Sequence, residues 1–427
     1  MTEVVRLPEA EFGSIMRLVL SPSHAIQRPD LLKGRDKQLN EIRRALHMGG
    51  RQVFIYGYRG VGKTSLAQTA ALQQQSADKK PISLSCTGES TFFQLIHDLF
   101  SKAFPSDPAI VKVIAGGKSG VKWGGLSAEI KGSIEKGRVP AITTLNEAVS
   151  LTEFIASIHS KQPVVIIDEF DLIKAPQEQA LFANFVKQIA DQQINIRLFF
   201  CGIADSLDQF FGSHESTYRY FHTVKLDRLD FSPRLEIIDA AAEALSVHVD
   251  DNTTRRIAKI SDGFPHFIHL VCEKLFWIVY NDPRSAMRAS PDHYERAVAE
   301  AVEDMQPYLR GPYETATRKY SNDSEAILWA VADTHELTRQ AREIFKSYER
   351  IMASIPGSEP LSRERFNTRI NSLKTPAYGS ILTATRTGWY EYREKMMRGY
   401  ARLRAEQQQV DLDSEHPLQQ RRFGTSY

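Results

Sequence analysis

Short apolar runs and amphipathic stretches alternate along the first half of the chain. The runs are rich in β-branched and aromatic residues, as in strands that are buried on both faces of a sheet. Between the runs the apolar residues follow a helical period; at residues 34–46, for example, Leu39, Ile42 and Leu46 fall on one face. This alternation predicts an α/β fold, a parallel sheet covered by helices on both faces. The predicted strands are residues 53–56, 81–86, 164–167, 194–202 and 223–226.

The second half of the chain has a different pattern. Residues 233–308 show only helical periods, which predicts a helical region after the sheet. Residues 321–405 combine three helical patterns with two short strands joined by a turn, an order typical of a winged helix, whose third helix enters the major groove of DNA. The predicted helices are residues 324–332, 338–353 and 362–373, and the predicted strands are residues 380–384 and 389–393.

A glycine-rich loop joins the first strand to the helix after it. Residues 57–64, GYRGVGKT, fit the pattern G-x-x-x-x-G-K-[ST], in which backbone N–H groups close around nucleotide phosphates. The lysine reaches the β- and γ-phosphates, the threonine hydroxyl is placed for Mg²⁺, and the helix N-terminus adds partial positive charge. Lys63 is therefore also expected to be catalytic. The predicted nucleotide-binding residues of this loop are Gly57, Gly60, Val61, Gly62, Lys63, Thr64 and Ser65.

An acidic pair ends the apolar strand at residues 164–167. Asp168 lies at the carboxyl end of this strand, where ligands bind in open α/β sheets. We predict that Asp168 and Thr64 hold Mg²⁺, and that Glu169 polarises the water that attacks the γ-phosphate of ATP. Because Glu169 is present, hydrolysis is expected as well as binding. For Asp171 two roles are open, support of this site or, preferably, a cap for the following helix.

Composition excludes several classes of protein. At 427 residues the chain is long enough for two or three domains, and its formal net charge of +2 implies no particular partner. No apolar run reaches the roughly 18 residues that a membrane span requires. Residues 1–6 lack the apolar core of a signal peptide. The three cysteines lack metal-ligand spacing, which predicts reduced thiols in a cytoplasmic protein.

Residues 112–140 interrupt the strand–helix alternation. The segment is dotted with glycines, alternates apolar and polar residues, and has six basic residues against two acidic ones. This predicts a basic β-hairpin with Trp123 near its tip. Two interpretations stay open: contact with nucleic acid or a neighbouring subunit, or a solvated surface loop.

The glycine-rich loop, the acidic strand end and the order of strands together resemble AAA+ ATPases of the origin-recognition, replication-initiator and STAND-related branches, over roughly residues 20–300. Residues 32–35 and the helix after them resemble the box that packs over adenine. This implies a nucleotide contact for Arg35, with a helix-capping surface charge as the alternative. The resemblance also implies a polar sensor after the fourth strand, where Asp205 or Ser206 would replace the usual asparagine.

The resemblance extends to two further places. Arg219 precedes the fifth strand, where related ATPases carry an arginine that reaches a neighbour's nucleotide, so that hydrolysis needs an oligomer. An ion pair with Glu215 is the alternative. Residues 261–266 resemble the lid signature G-x-P of STAND proteins, which implies nucleotide contacts for Pro265 and His266. His266 replaces the sensor 2 arginine of initiators; a solvent-exposed histidine at a helix start is the alternative.

Basic residues cluster on the predicted winged helix. Residues 360–410 contain ten basic and four acidic side chains, a pattern suited to the phosphates and base edges of double-stranded DNA. Winged helices also bind proteins, so a protein partner is the alternative. The candidate DNA contacts are Arg363, Arg365 and Arg369 in the third helix, Lys374 after it, and Arg386 at the tip of the wing.

We therefore predict an AAA+ P-loop NTPase core, a helical lid and a C-terminal winged helix. The expected function is an ATP-hydrolysing, Mg²⁺-dependent switch that forms homo-oligomers with ATP and associates with DNA; the alternative is a STAND-type signalling or defence ATPase. No membrane association is expected. The predicted parts are a lead-in (1–33), the core (34–230) with its inserted hairpin (about 112–140), the lid (231–310), the winged helix (321–405) and a disordered tail (406–427).

Overall fold

The computed structural model describes residues 6–21, 25–104, 126–135, 138, 140–203, 210 and 215–412. The chain divides into two compact units. The sheet unit comprises Ala25–Tyr58 and Gly62–Asp227, and the helical unit comprises Arg228–Tyr427 with Met1–His24 and Arg59–Val61. Within the described ranges, no helix is both long and apolar enough to cross a membrane.

The described residues form helices α1 (Glu9–Val19), α2 (Asp36–Leu46), α3 (Lys63–Gln74), α4 (Phe92–Ala103), α5 (Ala128–Glu135), α6 (Leu145–His159), α7 (Pro176–Asp191), α8 (Phe231–Ala244), α9 (Asp251–Ile260), α10 (Pro265–Asn281), α11 (Pro291–Glu303), α12 (Pro307–Thr317), α13 (Ser321–Ala332), α14 (Ala341–Ser354), α15 (Arg363–Ser372) and α16 (Met397–Gln407). Their strands are β1 (Gln52–Gly57), β2 (Ile82–Ser85), β3 (Val164–Asp168), β4 (Arg197–Gly202), β5 (Phe221–Leu226), β6 (Thr338–Gln340), β7 (Leu382–Arg386) and β8 (Trp389–Tyr392).

A parallel sheet forms the centre of the sheet unit, and its described strands follow the order β2-β3-β4-β1-β5. Every neighbouring pair is parallel, which confirms the predicted architecture. The buried positions of β3 are continuous from Val164 to Ile167, because helices cover both faces of a parallel sheet. The carboxyl ends of all these strands meet at one edge, where β1 leads into the glycine-rich loop and β3 ends at Asp168.

Aromatic side chains fill one side of this sheet. The ring of Phe170 packs edge-on against Phe182, Phe200 and Phe210, with centroids 5.1 to 5.2 Å apart. Phe170 is fully buried and follows Glu169 directly in the chain. The aromatic cluster therefore anchors the backbone immediately after the acidic pair.

The predicted hairpin at residues 112–140 is wrong for its described part. Residues 128–135 form the helix α5, not a strand. Leu126, Ile130 and Ile134 are buried at a spacing of four residues, which suits a helical face. Residues 112–125, with Trp123, lie outside the described residues.

Both ends of the chain hold more structure than the sequence pattern indicated. The predicted lead-in contains α1, whose Phe12 is buried and stacks on Tyr280 with a centroid separation of 4.3 Å. The predicted disordered tail begins with the last turn of α16, after which Val410 and Leu412 are buried. Packing of isolated apolar residues within polar stretches explains both differences; residues 413–427 are not described.

The helical unit combines α8–α12 with a C-terminal part that holds a small antiparallel sheet in the order β6-β8-β7. Both predicted wing strands are present as β7 and β8, and the third predicted helix is α15. The second predicted helix begins later than expected, because residues 338–340 pair with β8 as the strand β6. This order of elements is compatible with a winged helix. The additional helix α16 follows β8 and is largely buried.

Candidate functional site

The glycine-rich loop ends in a left-handed turn that starts α3. Gly62 has a φ of 94° and is the N-cap of this helix, so a residue with a Cβ would be strained there. Lys63 is the first residue of α3, and its Nζ donates to the carbonyl oxygens of Gly57 and Tyr58 at 3.1 and 3.0 Å. The loop therefore curves around the ammonium group, where phosphate oxygens would be stronger, charged partners.

Two predicted metal-holding side chains lie against each other. The Thr64 hydroxyl donates to Oδ2 of Asp168 at 2.7 Å, although the two residues are 104 positions apart in the chain. Both side chains are partly exposed at the carboxyl edge of the sheet. Hydroxyl and carboxylate oxygens are hard ligands of the kind that Mg²⁺ takes, together with substrate phosphates and water. The residues present therefore fit a magnesium ion shared with a nucleotide.

Glu169 lies beside this pair in an unusual backbone conformation. Its φ is 55°, in the left-handed region that costs a non-glycine residue energy and is enriched at functional sites. Its side chain is exposed, and its Oε2 accepts a hydrogen bond from Ser85 Oγ at 3.0 Å. The backbone N–H of Glu169 donates to Oδ1 of Asp168 at 2.9 Å, so the two carboxylates have different surroundings.

Sequence reasoning missed Ser85, the residue that holds Glu169. Ser85 ends β2, and the register of the sheet pairs it with Asp168 at the end of β3. The available signal was its position, because polar residues at the carboxyl ends of neighbouring parallel strands meet at one edge. Ser85 fell within the predicted strand 81–86, and a single serine in a strand does not by itself indicate a contact with the acidic pair.

The thiols of two cysteines border the acidic pair and are buried. Burial, with the carboxylates of Asp168 and Glu169 adding to it, raises the pKa of Cys86 to about 12. Burial, with the negative charge of Asp168 adding to it, also raises the pKa of Cys201 well above its ordinary value. Both thiols are therefore protonated and unreactive at neutral pH, as the predicted reduced core residues should be.

Asp171 does not cap the following helix, so that preference was wrong. It lies inside the 3-10 turn Phe170–Leu172, whereas the N-cap of α7 is Ala175 with Pro176 at the first helical position. The side chain of Phe170 is buried, which holds residues 170–172 in this turn, and α7 starts only at Pro176.

Arg35 is placed differently from a surface charge. Its side chain is only 5% exposed, and its Nη2 donates to the carbonyl oxygen of Asp227 at 2.8 Å. This bond ties the start of α2 to the end of β5, which rules out the surface-charge alternative. A nucleotide contact for Arg35 stays a prediction. The sensor candidates Asp205 and Ser206 lie outside the part of the chain that the structure describes.

Arg219 is exposed at the end of the 3-10 turn Glu215–Tyr220, just before β5. Its guanidinium lies 4.8 Å from the ring centroid of Tyr220 and donates to the hydroxyl of that residue at 2.7 Å. The Tyr220 hydroxyl in turn donates to Asp191 at 2.9 Å. The arginine is thus held in one direction on the surface, while the alternative partner, the Glu215 side chain, is not described.

Pro265 and His266 are the first two residues of α10, in the helical unit. Both are half-buried, which does not fit the alternative of a solvent-exposed histidine. Proline suits this position because its missing N–H is one that the first turn leaves unpaired. Their predicted role in nucleotide binding remains a prediction.

The candidate DNA-contacting residues fall into two groups. Arg363 stacks on Phe345 at 4.6 Å and Arg369 on Tyr320 at 3.2 Å, and both are half-buried, so part of their role is packing. Lys374 lies 5.4 Å from the ring centroid of Tyr390 and is also half-buried. Arg365 and Arg386 are exposed, the second lying 4.0 Å from the ring centroid of Trp389.

The charge count of residues 360–410 overstates the basic surface. Arg398 and Arg402 are buried, Lys395 pairs with Glu391, and Arg404 pairs with Glu325. A net charge read from sequence counts such internal partners as if they faced solvent. The exposed positive charge of this region is therefore concentrated at α15 and the hairpin of β7 and β8.

The sheet order, the glycine-rich loop and the acidic strand end together define the fold of an AAA+ P-loop ATPase. Residues 31–199 match the family of AAA ATPase domains. The structure is similar to a Walker-type ATPase of Pyrococcus abyssi, with a TM-score of 0.54, 16% identity, and coverage of 89% of this chain and 99% of that one. It is also similar to the ORC2 protein of Aeropyrum pernix in its ADPNP–ADP complexes, with a TM-score of 0.51, 13% identity, and coverage of 91% and 98%. No curated protein sequence matches the chain.

Proposed function

We propose that this protein binds and hydrolyses ATP with Mg²⁺ and uses the nucleotide state as a switch in association with DNA. The observation that carries the proposal is the direct contact of Thr64 with Asp168, which unites the glycine-rich loop and the acidic strand end in one site. The matched AAA ATPase domain supports the same reaction class. The direct test is release of phosphate from ATP by the purified chain, with and without Mg²⁺.

Each residue of the proposed site has a part that follows from its surroundings. Lys63 and the backbone of the loop would hold the β- and γ-phosphates, and Thr64 and Asp168 would hold the metal. A bound Mg²⁺ would neutralise charge on the phosphates. Glu169, held by Ser85, would accept the proton of the attacking water.

DNA association is proposed from the exposed charge of α15 and the wing, and the resemblance to origin-recognition proteins supports it. We expect duplex DNA to bind with an affinity that falls steeply with salt, because phosphate contacts release counterions. Replacing both Arg365 and Arg386 by Ala should make the slope of log K against log salt less negative by about 2, roughly one per lost contact. Fluorescence anisotropy with random duplex at several salt concentrations measures this slope.

These two arginines are chosen because their removal leaves the core intact. Arg363 and Arg369 are themselves half-buried and stack on the rings of Phe345 and Tyr320, so their loss would also disturb packing. The matched control is Arg296→Ala on α11, an exposed arginine with a loose ion pair at 3.9 Å. If neither duplex nor single-stranded DNA binds at low salt in the presence of ATP, the DNA association is abandoned.

We further propose that Arg219 acts on the nucleotide of a neighbouring subunit, in an oligomer that forms with ATP. Its exposure and its fixed direction on Tyr220 support this role. Arg219→Ala and Glu169→Gln should each be inactive alone, whereas a one-to-one mixture should recover roughly a quarter of wild-type turnover, the fraction of random interfaces that join an intact site to an intact arginine. A mixture no more active than its components would show that Arg219 does not act in trans.

A second function is a STAND-type signalling or defence ATPase whose winged helix binds a protein. The stacking of Arg363 and Arg369 on aromatic rings favours it, because it reduces the basic charge that faces solvent. DNA binding that is absent at low salt, with ATP hydrolysis present, would favour this second function.

A further inference from the structure

A buried carboxylate lies in the turn that leads into α10. Asp262 is 3% exposed, and its carboxylate forms ion pairs with three guanidinium groups. Arg398 approaches it in a fork, with Nε 2.8 Å from Oδ2 and Nη2 3.2 Å from Oδ1. Arg228 lies 2.7 Å from Oδ1 and also donates to the Asp262 carbonyl oxygen, and Arg402 is 3.5 Å from Oδ1. We call these four residues the Asp262 cluster.

The cluster joins distant parts of the helical unit. Arg228 follows β5, Asp262 lies between α9 and α10, and Arg398 and Arg402 are on α16, the helix after the wing. Arg398 is completely buried and also donates to the carbonyl oxygens of Thr334 and Glu336, between α13 and β6. One side chain of α16 therefore contacts both the turn before α10 and the loop between α13 and β6.

The turn itself is of a kind that needs external support. Asp262 has a φ of 51° and Gly263 a φ of 80°, two successive residues in the left-handed region. A Cβ at Gly263 would lie 2.7 Å from the carbonyl oxygen of Leu229, so the backbone is tightly enclosed. Pro265 starts α10 two residues later. The conformation of this turn therefore sets where Pro265 and His266 point.

The charges of the cluster show that it is more than an ordinary ion pair. One carboxylate faces three guanidinium groups, and the excess positive charge is met by carbonyl oxygens at the ends of helices. Arg402 donates to Ala332, the last residue of α13, at 2.8 Å, and to Lys259 near the end of α9 at 3.2 Å. Helix C-termini carry partial negative charge, which favours cations there. Loss of any one of these partners would leave a buried charge uncompensated, which lowers the stability of the fold.

We propose that Arg398 is a positioning residue for the nucleotide site, which fixes the turn before α10 through Asp262 and couples that turn to the winged helix. The proposal rests on the proposed ATP site and on the nucleotide contacts that the sequence predicts for Pro265 and His266. It assigns a role in ATP binding to α16. The glycine-rich loop and the acidic strand end do not predict this role. It also gives nucleotide binding a route to the winged helix through one set of side chains.

The test replaces Arg398 by Lys, which keeps the charge but loses the planar fork. The affinity for ATP should fall at least about tenfold, while turnover at saturating ATP changes by less than about threefold, because ground state and transition state lose the same contact. Hydrogen exchange of the backbone amides at residues 261–266 should accelerate by about tenfold or more as the turn loosens. The matched control is Arg310→Lys, an exposed arginine paired with Glu314, which should change none of these three quantities.

The two readouts separate the proposal from the function on which it rests. Faster exchange at residues 261–266 with an unchanged ATP affinity would overturn the positioning role and leave Arg398 a structural residue. Unchanged exchange in Arg398→Lys would overturn it as well. If Arg398→Lys does not fold, Arg402→Lys, whose Nε is farther from Asp262, gives the same two readouts. If the proposed function itself fails, the wild type does not bind ATP, and its binding signal equals that of Lys63→Ala.

Discussion

ATP turnover is expected to fall by about 10²- to 10⁴-fold when Glu169 is replaced by Gln, while ATP binding is retained. Glutamine keeps the size of the side chain and can still accept the hydrogen bond from Ser85. It cannot take a proton from water, so only the chemical step is affected. Steady-state release of phosphate measures turnover, and titration with a fluorescent ATP analogue measures binding.

The contrast with Lys63→Ala makes this prediction specific. That variant should lose nucleotide binding itself, because the ammonium group at the centre of the loop is removed. Lys187→Ala, an exposed lysine on α7, should change neither binding nor turnover. Hydrolysis that survives in Glu169→Gln would mean that another group positions the water, and the assignment of Glu169 would be withdrawn.

The core of the candidate site could be predicted because each half is carried by a local pattern. A glycine-rich loop between an apolar strand and a helix has few other uses, and two carboxylates after four buried β-branched residues identify the strand end. Parallel strands end at the same edge of a sheet, so the loop after the first strand and the acidic strand end are expected to form one site. The contact of Thr64 with Asp168 fulfils that expectation across 104 positions of the chain.

The Asp262 cluster was not predictable, because its members look ordinary in sequence. Arg398 and Arg402 were counted as basic surface, since arginine is mostly exposed and four-residue spacing on a helix gives no sign of burial. Asp262 stands in a turn where aspartate is common for local reasons. Only packing shows that these charges lie together inside the helical unit.

The helix α5 was missed for a different reason. Leu126, Ile130 and Ile134 recur every four residues, and a spacing of four fits both a strand that alternates and a helix. Nearby glycines favoured the strand. The helix forms because these three residues bury one face in the core of the sheet unit, and tertiary packing outweighs the low helix propensity of Gly132.

The second large effect is expected for the stability of the helical unit. Replacing Asp262 by Asn should lower the free energy of unfolding by about 3–5 kcal/mol, because three guanidinium groups lose their only carboxylate within the cluster. Asparagine has the same shape and tolerates a positive φ, so the change removes charge without straining the turn. Trp277, Trp329 and Trp389 all lie in the helical unit, and their fluorescence during denaturant unfolding measures the loss. Asp292→Asn, which removes an exposed carboxylate 3.9 Å from Arg296, should leave the curve nearly unchanged.

The pH dependence of this difference identifies its electrostatic origin. Burial alone would raise the pKa of Asp262, but the guanidinium groups of Arg398, Arg402 and Arg228 hold it far below its ordinary value. A carboxyl whose pKa is lower in the folded state stabilises the protein fully above its unfolded pKa of about 3.9 and progressively less below it. The difference between wild type and Asp262→Asn should therefore be constant from pH 8 to about pH 5 and shrink below about pH 4. A difference that stayed the same down to pH 2 would show that asparagine disturbs packing, because protonation of Asp262 would then not reproduce the variant.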